Sequence, residues 1–241
     1  MEIMNSAPPP SRVGRPRASA ENLNTRVSSR QQILDAAAAL FSEAGFSGSS
    51  TRAIADRVGI RQQSLYYHFA GKDDILAELL SGSVRPSIDF VEGIEAWVPD
   101  EISPAGALFA LASIDARTLR RTPHNIGTLY LMPEIQDPRY DAFRNQRREL
   151  RAIYGRLGAA AAHPDVTGTI TEERIGAILI QLTEVVIQLR RDDQGATGDD
   201  DATIAASCLR VLGLSTAEIS AAREEADRIT ALVQRSAAQP A

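Results

Sequence analysis

Residues 50–72 read Ser-Thr-Arg-Ala-Ile-Ala-Asp-Arg-Val-Gly-Ile-Arg-Gln-Gln-Ser-Leu-Tyr-Tyr-His-Phe-Ala-Gly-Lys. Their spacing is that of a helix-turn-helix. Ile54 and Ala55 face inward from a first short helix. Val58, Gly59 and Ile60 make the turn, and Leu65 anchors a second helix against the first. Gly59 stands where the chain reverses, a place for a positive φ that glycine adopts without steric cost. Two helices this short bury little surface alone, so the unit fits a DNA reader carried on a larger body.

Working outward, residues 1–27 are rich in Pro, Ser and Arg and lack apolar periodicity, and they read as a disordered basic arm. Arg12, Arg15 and Arg17 lie there in Arg-Val-Gly-Arg-Pro-Arg. Gly-Arg-Pro-Arg resembles an AT-hook core, whose arginines enter narrow A·T minor grooves. A non-specific electrostatic tail is an equal reading. Ser28 with Gln31 is a capping signal for a helix carrying Ile33, Ala37, Leu40, Phe41 and Ala44, stopped by Gly45. Ser50 caps a second helix to about Val58, and a third covers Arg61 to Phe69. The expected DNA-binding domain is 28–75. A helical body follows over 76–241, with helices near 73–95, 105–121, 138–162, 171–191, 202–212 and 216–235. No strand-length alternation interrupts them, so the fold class is all-α.

Charge supports this division. Residues 1–72 hold nine Arg or Lys against five Asp or Glu, a net of +4. Residues 73–241 hold seventeen against twenty-six, a net of −9. A positive head on an acidic body suits a protein that presents one end to a polyanion. No apolar run is long enough to span a membrane. There is no signal-peptide core, and the one cysteine, Cys208, fits a reducing cytoplasm.

Residues 30–76 resemble the N-terminal domain of TetR-family transcriptional regulators. The matching pieces are Ile33-Leu34-Asp35-Ala36-Ala37, Leu40-Phe41, Gly45-Phe46, Thr51 to Gly59, Leu65-Tyr66-Tyr67-His68-Phe69 and Lys72. The resemblance implies a three-helix DNA-binding domain followed by a helical ligand-binding and dimerisation domain. It implies that Thr51 and Arg52 approach DNA, and that Gln62, Gln63 and Ser64 meet base edges. Tyr66, Tyr67 and His68 would hold phosphates or the groove wall, and Lys72 a backbone phosphate. Phosphate contacts set register while base contacts carry sequence information.

Two departures bear on specificity. The recognition helix starts with Arg61 where the family usually has Ser or Thr. A cation at a helix N-terminus is unfavourable unless a phosphate or guanine is near, which favours a DNA role for Arg61. Gln63 is larger than the family's usual residue, and adjacent glutamines can pair with adenine N6 and N7. Tyr66 and Tyr67 lie about 100° apart on a helix and cannot both enter one core, so at least one hydroxyl faces DNA or solvent. Leu65 and Phe69 read as core.

In the body, Trp97, Phe109, Tyr130, Met132, Tyr140, Phe143 and Tyr154 are candidates for lining a ligand pocket, though each alone is more often ordinary core. The helix 171–191 is apolar on two faces and needs a second cover, so Ile180, Gln181, Glu184 and Ile187 are expected at a homodimer interface. The acidic linker 192–201 reads as solvated, with Asp199, Asp200 and Asp201 capping the next helix. The body's charge leans toward an apolar, neutral or cationic effector, unless an interior arginine such as Arg117 or Arg121 reverses it locally. His124 and His163 lack a second ligand at metal spacing, and no metal or cofactor is expected. The reading is a homodimeric repressor released from a double-stranded DNA operator by a small molecule. Its rivals are an activator or partner-controlled regulator, an enzyme with a DNA head, and a DNA-coating protein. No nucleophile–base set or phosphate loop supports the enzyme.

Overall fold

The structure is a computed structural model, and it describes residues 28–97, 102–122, 124–192 and 200–237. All the regular elements among them are helices. The head comprises α1 (Ser29–Ala44), α2 (Thr51–Val58) and α3 (Gln62–Tyr66). The Ser28 side chain accepts from the Gln31 amide and the Ser50 side chain from Ala53, so both longer helices start on hydroxyl caps. Gly59 closes α2 at φ 78°, ψ 28°, and the Ile60 amide donates back to the Ala55 carbonyl at 3.0 Å. That pairing satisfies the carbonyls at the end of α2 and fixes the turn angle. Ile33, Ala37, Phe41, Ile54, Leu65 and Phe69 form the core of the head. The third helix is shorter than expected. It ends at Tyr66, and the chain then turns so that Phe69 can reach that core.

The fourth helix, α4 (Lys72–Trp97), runs unbroken from head to body. The expected domain boundary at 75 falls inside its first turn. Pro86 does not interrupt it. Both Pro86 and Gly82, whose carbonyl loses its donor, lie on the exposed side of the helix, where water can replace the missing bond. Helix α5 (Pro104–Arg121) is the axis of the body. Leu108, Phe109, Leu111, Ala112 and Ala116 are buried around much of its circumference. Three 3₁₀ turns follow, Ile126–Leu131, Pro133–Gln136 and Pro138–Tyr140. Then come α6 (Asp141–Ala161), the one-turn α7 (Pro164–Thr167), α8 (Glu172–Arg191), α9 (Asp200–Val211) and α10 (Thr216–Ala237).

Helices α6 and α8 touch backbone to backbone. A Cβ at Gly176 would meet the Arg151 carbonyl oxygen at 2.3 Å, so only glycine permits this approach. Asp201 departs from the solvated linker expected of 192–201. It is buried in the first turn of α9, held by Arg120 at 2.8 Å and Arg117 at 3.3 Å from α5. A buried carboxylate is tolerated because it is paired. Residues 193–199 lie outside the described residues.

Candidate nucleic-acid interface and effector groove

The outer face of the head collects the polar residues of α2 and α3. Arg52, Arg61, Gln62, Gln63, Ser64 and His68 are exposed there, with Tyr66 at 49% and Tyr67 at 85%. Both tyrosines therefore point outward, while Leu65 and Phe69 carry the packing. The Gln62 side-chain amide donates to Thr51 Oγ1 at 2.9 Å and to the Tyr66 hydroxyl at 3.3 Å, and those two oxygens lie 3.2 Å apart. Gln62 Nε2 is thus engaged by two hydroxyl oxygens, and its Oε1 remains to accept. Arg61 makes no side-chain cap to α3.

Lys72 starts α4 with its ammonium 4.2 Å from the centre of the Phe46 ring. It donates to the carbonyls of Phe46 at 3.0 Å and Ser49 at 3.3 Å. An ammonium has three donors, so these two carbonyls leave one unused. Arg15 and Arg17 lie outside the described residues.

The 3₁₀ segment 126–140 lies between this head and the body. Ser47 in the head donates to Glu134 at 2.8 Å. The Tyr140 hydroxyl donates to Asp73 of α4 at 2.9 Å, and Arg139 pairs with the same carboxylate at 3.0 Å. The Tyr130 hydroxyl is 2.6 Å from Ser83 Oγ of α4. Ser83 itself donates to the Leu80 carbonyl at 2.6 Å, which leaves Tyr130 as the donor. Burial raises the Tyr130 pKa, so it keeps that proton.

Tyr130, Leu131, Ile135 and Gln136 also line a groove of about 700 Å³, shared with α6 and α8. Of the seven side chains expected to line one pocket, this groove unites Tyr130 and Phe143, whose ring centroids are 5.4 Å apart. Arg147 lies 4.5 Å above the Tyr130 ring and pairs with Glu184. Phe109 lines a separate cleft of about 350 Å³ between α5, α9 and α10. Met132 is half-buried beside the core, and Tyr140 and Tyr154 are spent in polar contacts inside it. The Trp97 side chain lies outside the described residues.

The pattern gave no hint of a second polar centre. Asp115 of α5 accepts from Ser87 of α4 at 2.9 Å and from Tyr154 of α6 at 3.0 Å. Burial pushes its carboxyl up to about 6, and the two hydrogen bonds offset only part of that cost. These partners are 28 and 39 residues away in sequence, so no local spacing reveals them.

On α8, Ile180 and Ile187 are buried inside the chain, and Glu184 is turned to Arg147. Gln181 is exposed and donates to Glu184 at 2.8 Å. The large apolar side chains left open on this helix are Ile178, Val185 and Leu189, one stripe spaced by two turns and then one. Among the described residues no cluster of metal-ligating side chains occurs, and no helix is long and apolar enough to cross a membrane. His163 instead accepts from the Asp165 amide at the start of α7.

The chain is similar to known proteins over this whole arrangement. The sequence profile of bacterial regulatory proteins of the tetR family matches residues 33–79. The HTH-type transcriptional repressor KstR2 of Mycobacterium tuberculosis is 47% identical over 133 residues, 53% of this chain. The chain spans 63% of that relative's length. The crystal structure of Mycobacterium smegmatis AmtR is 38% identical, with a TM-score of 0.73. That likeness covers 86% of this chain and 97% of AmtR. The structure of KstR2 shares the fold at a TM-score of 0.59 and 20% identity.

Proposed function

The chain belongs to the TetR family of bacterial transcriptional regulators, and on that premise we propose that it is a cytoplasmic homodimeric repressor released from its operator by a small molecule. That it is a DNA-binding regulator follows from the family. Repression has the support of the KstR2 relatives, which are named transcriptional repressors. The dimer has the support of the exposed Ile178, Val185 and Leu189 stripe on α8.

One observation carries the effector reading. Residues 126–140 line the α6–α8 groove on one side, and on the other they hold the head through Glu134 and the first turn of α4 through Arg139 and Tyr140. A ligand that displaces Tyr130 alters its bond to Ser83 on α4, the helix that begins at Lys72. Spacing of the two recognition helices in a dimer then shifts, and operator affinity falls by the ligand's differential affinity for the two states. Tyr130→Phe is expected to bind the effector yet lose most of its effect on operator affinity, measured by operator titration with and without ligand. Full release in that variant would remove Tyr130 from the relay.

Base reading falls on Gln63 more than on Gln62. A bidentate pair with adenine needs both the amide nitrogen and the oxygen, and the Gln62 nitrogen is engaged by Thr51 and Tyr66. Gln62 therefore positions the α2–α3 corner, with Thr51, Arg52, Tyr67, His68 and the third donor of Lys72 toward phosphates. Arg61 and Ser64 flank the bases. Operators selected from random DNA should lose preference at a defined position with Gln63→Ala, at a cost of about 1–3 kcal/mol. Uniform weakening with preference intact would reject this assignment.

The enzyme rival draws no support from the raised carboxyl, which lines neither the groove nor the cleft described above. Asp115, the buried carboxyl with a strongly raised pKa, is sealed between α4, α5 and α6.

A further inference from the structure

We infer that the groove between residues 130–136, α6 and α8 takes an amphipathic anion, an apolar body ending in a carboxylate or phosphate. This rests on the effector reading above and reverses, for this site, the cationic or neutral preference that the acidic body suggests. Arg144, Arg147, Arg148 and Arg151 stand at i, i+3, i+4 and i+7 on α6 and all line the groove. Their charges are only partly answered. Arg144 pairs with Asp141 and Arg147 with Glu184. Arg148 donates to the neutral side-chain oxygen of Asn145. Arg151 makes no ion pair among the described residues. The groove therefore holds two guanidinium charges more than it has carboxylates to meet them.

Beside these charges lies apolar surface. Tyr130, Phe143 and Ile180 form the floor, and Leu131 is 92% exposed at the rim. A neutral apolar ligand would cover Leu131 but strip water from guanidiniums without replacing it. A small inorganic anion would satisfy the guanidiniums and leave the leucine wet. A molecule with both parts does neither. Arginine forks pair bidentately with carboxylate or phosphate, and about 700 Å³ lies within the usual range of small-molecule sites. The neighbouring α8 stripe could bring a second copy to the same edge. That stripe, Ile178, Val185 and Leu189, is uncharged and has nothing to offer Arg148 or Arg151.

The test is calorimetric titration of the full chain with decanoate, decyl phosphate, 1-decanol and inorganic phosphate. At least one of the two amphipathic anions should bind about tenfold or more tighter than decanol or phosphate, and the better one identifies the headgroup. Arg148→Gln/Arg151→Gln should lose that advantage while keeping the wild-type circular dichroism and sedimentation. Equal affinity for decanol and the anions overturns the proposal, as does undiminished anion binding by the double variant. A changed association state with unchanged anion affinity also overturns it, and assigns the arginines to contact between copies. Operator titration separates the two claims. Anion binding in the groove that leaves operator affinity untouched ends the effector reading and keeps the anion site. Operator release by decanol alone, undiminished in the double variant, does the reverse.

Discussion

Val185→Asp is expected to leave each chain folded and to abolish operator binding, whereas Ile187→Asp is expected to prevent folding. The two positions are two residues apart on α8 and both are apolar, so composition alone treats them alike. Val185 is 41% exposed on the stripe it shares with Ile178 and Leu189. Ile187 is 7% exposed, and its Cδ1 fills the space where a side chain at Gly127 would begin, 2.4 Å from that Cβ position. A carboxylate at 187 would be buried without a partner, at a cost of several kcal/mol. That is a large share of the 5–15 kcal/mol that typically holds a domain together. A carboxylate at 185 stays in water in the free chain and would be driven into the apolar stripe that the proposed dimer buries. Losing the second recognition helix removes the effective-concentration gain of bivalent binding, roughly 10²–10⁴ in operator affinity. Circular dichroism, sedimentation and operator titration together read the outcome. A Val185→Asp protein that still sediments as a dimer would move the interface off α8.

That contrast shows what the sequence could and could not reveal. The head was legible because its determinants are local. Ser28 and Ser50 cap helices a few residues away, Gly59 takes the left-handed conformation that its turn requires, and Ile54 and Leu65 meet across a short connection. On α8 the pattern shows two apolar faces but not which one the protomer keeps. Ile180 and Ile187 go inward because α6 and the 126–131 turn lie there, and that depends on the whole body. Tyr140 and Tyr154 were legible as large side chains needing burial. Their partners, Asp73 and Asp115, lie 67 and 39 residues away, which turns them from candidate pocket walls into structural hydrogen bonds. The basic first half of α6 was visible as a run of arginines. The groove it lines also needs Tyr130, Ile135 and Ile180, which only folding brings to it.

Asp115 sets the second large effect, on stability against pH. Its carboxyl is 3% exposed and its pKa is raised from 3.8 to about 6, first by burial, against the hydrogen bonds from Ser87 and Tyr154. The folded chain therefore holds this proton more tightly than the unfolded chain does. The stabilisation from holding it is complete below about pH 3.8 and is lost as pH rises through about 6. At roughly 1.4 kcal/mol for each pH unit between the two values, the loss is on the order of 3 kcal/mol by pH 7. Asp115→Asn has no proton to lose. Its side-chain oxygen can still accept from Ser87, and its amide can donate to the Tyr154 oxygen, so the contacts joining α4, α5 and α6 survive with their direction altered. Urea unfolding from pH 4 to pH 8 should show the variant gaining on the wild type by up to ~3 kcal/mol across that range, with most of the change between pH 4 and pH 6.5. A stability difference that does not vary with pH would mean that Asp115 titrates at the same pH in both states, and that burial costs its charge nothing. Once ionised at neutral pH, the carboxylate holds its two hydroxyl donors more strongly than an amide can. One of those donors, Ser87, sits on the helix that begins at Lys72. In the proposed relay, tight anchoring of α4 to the body would carry a shift in the groove to the DNA-binding head, so Asp115→Asn should trade coupling for stability.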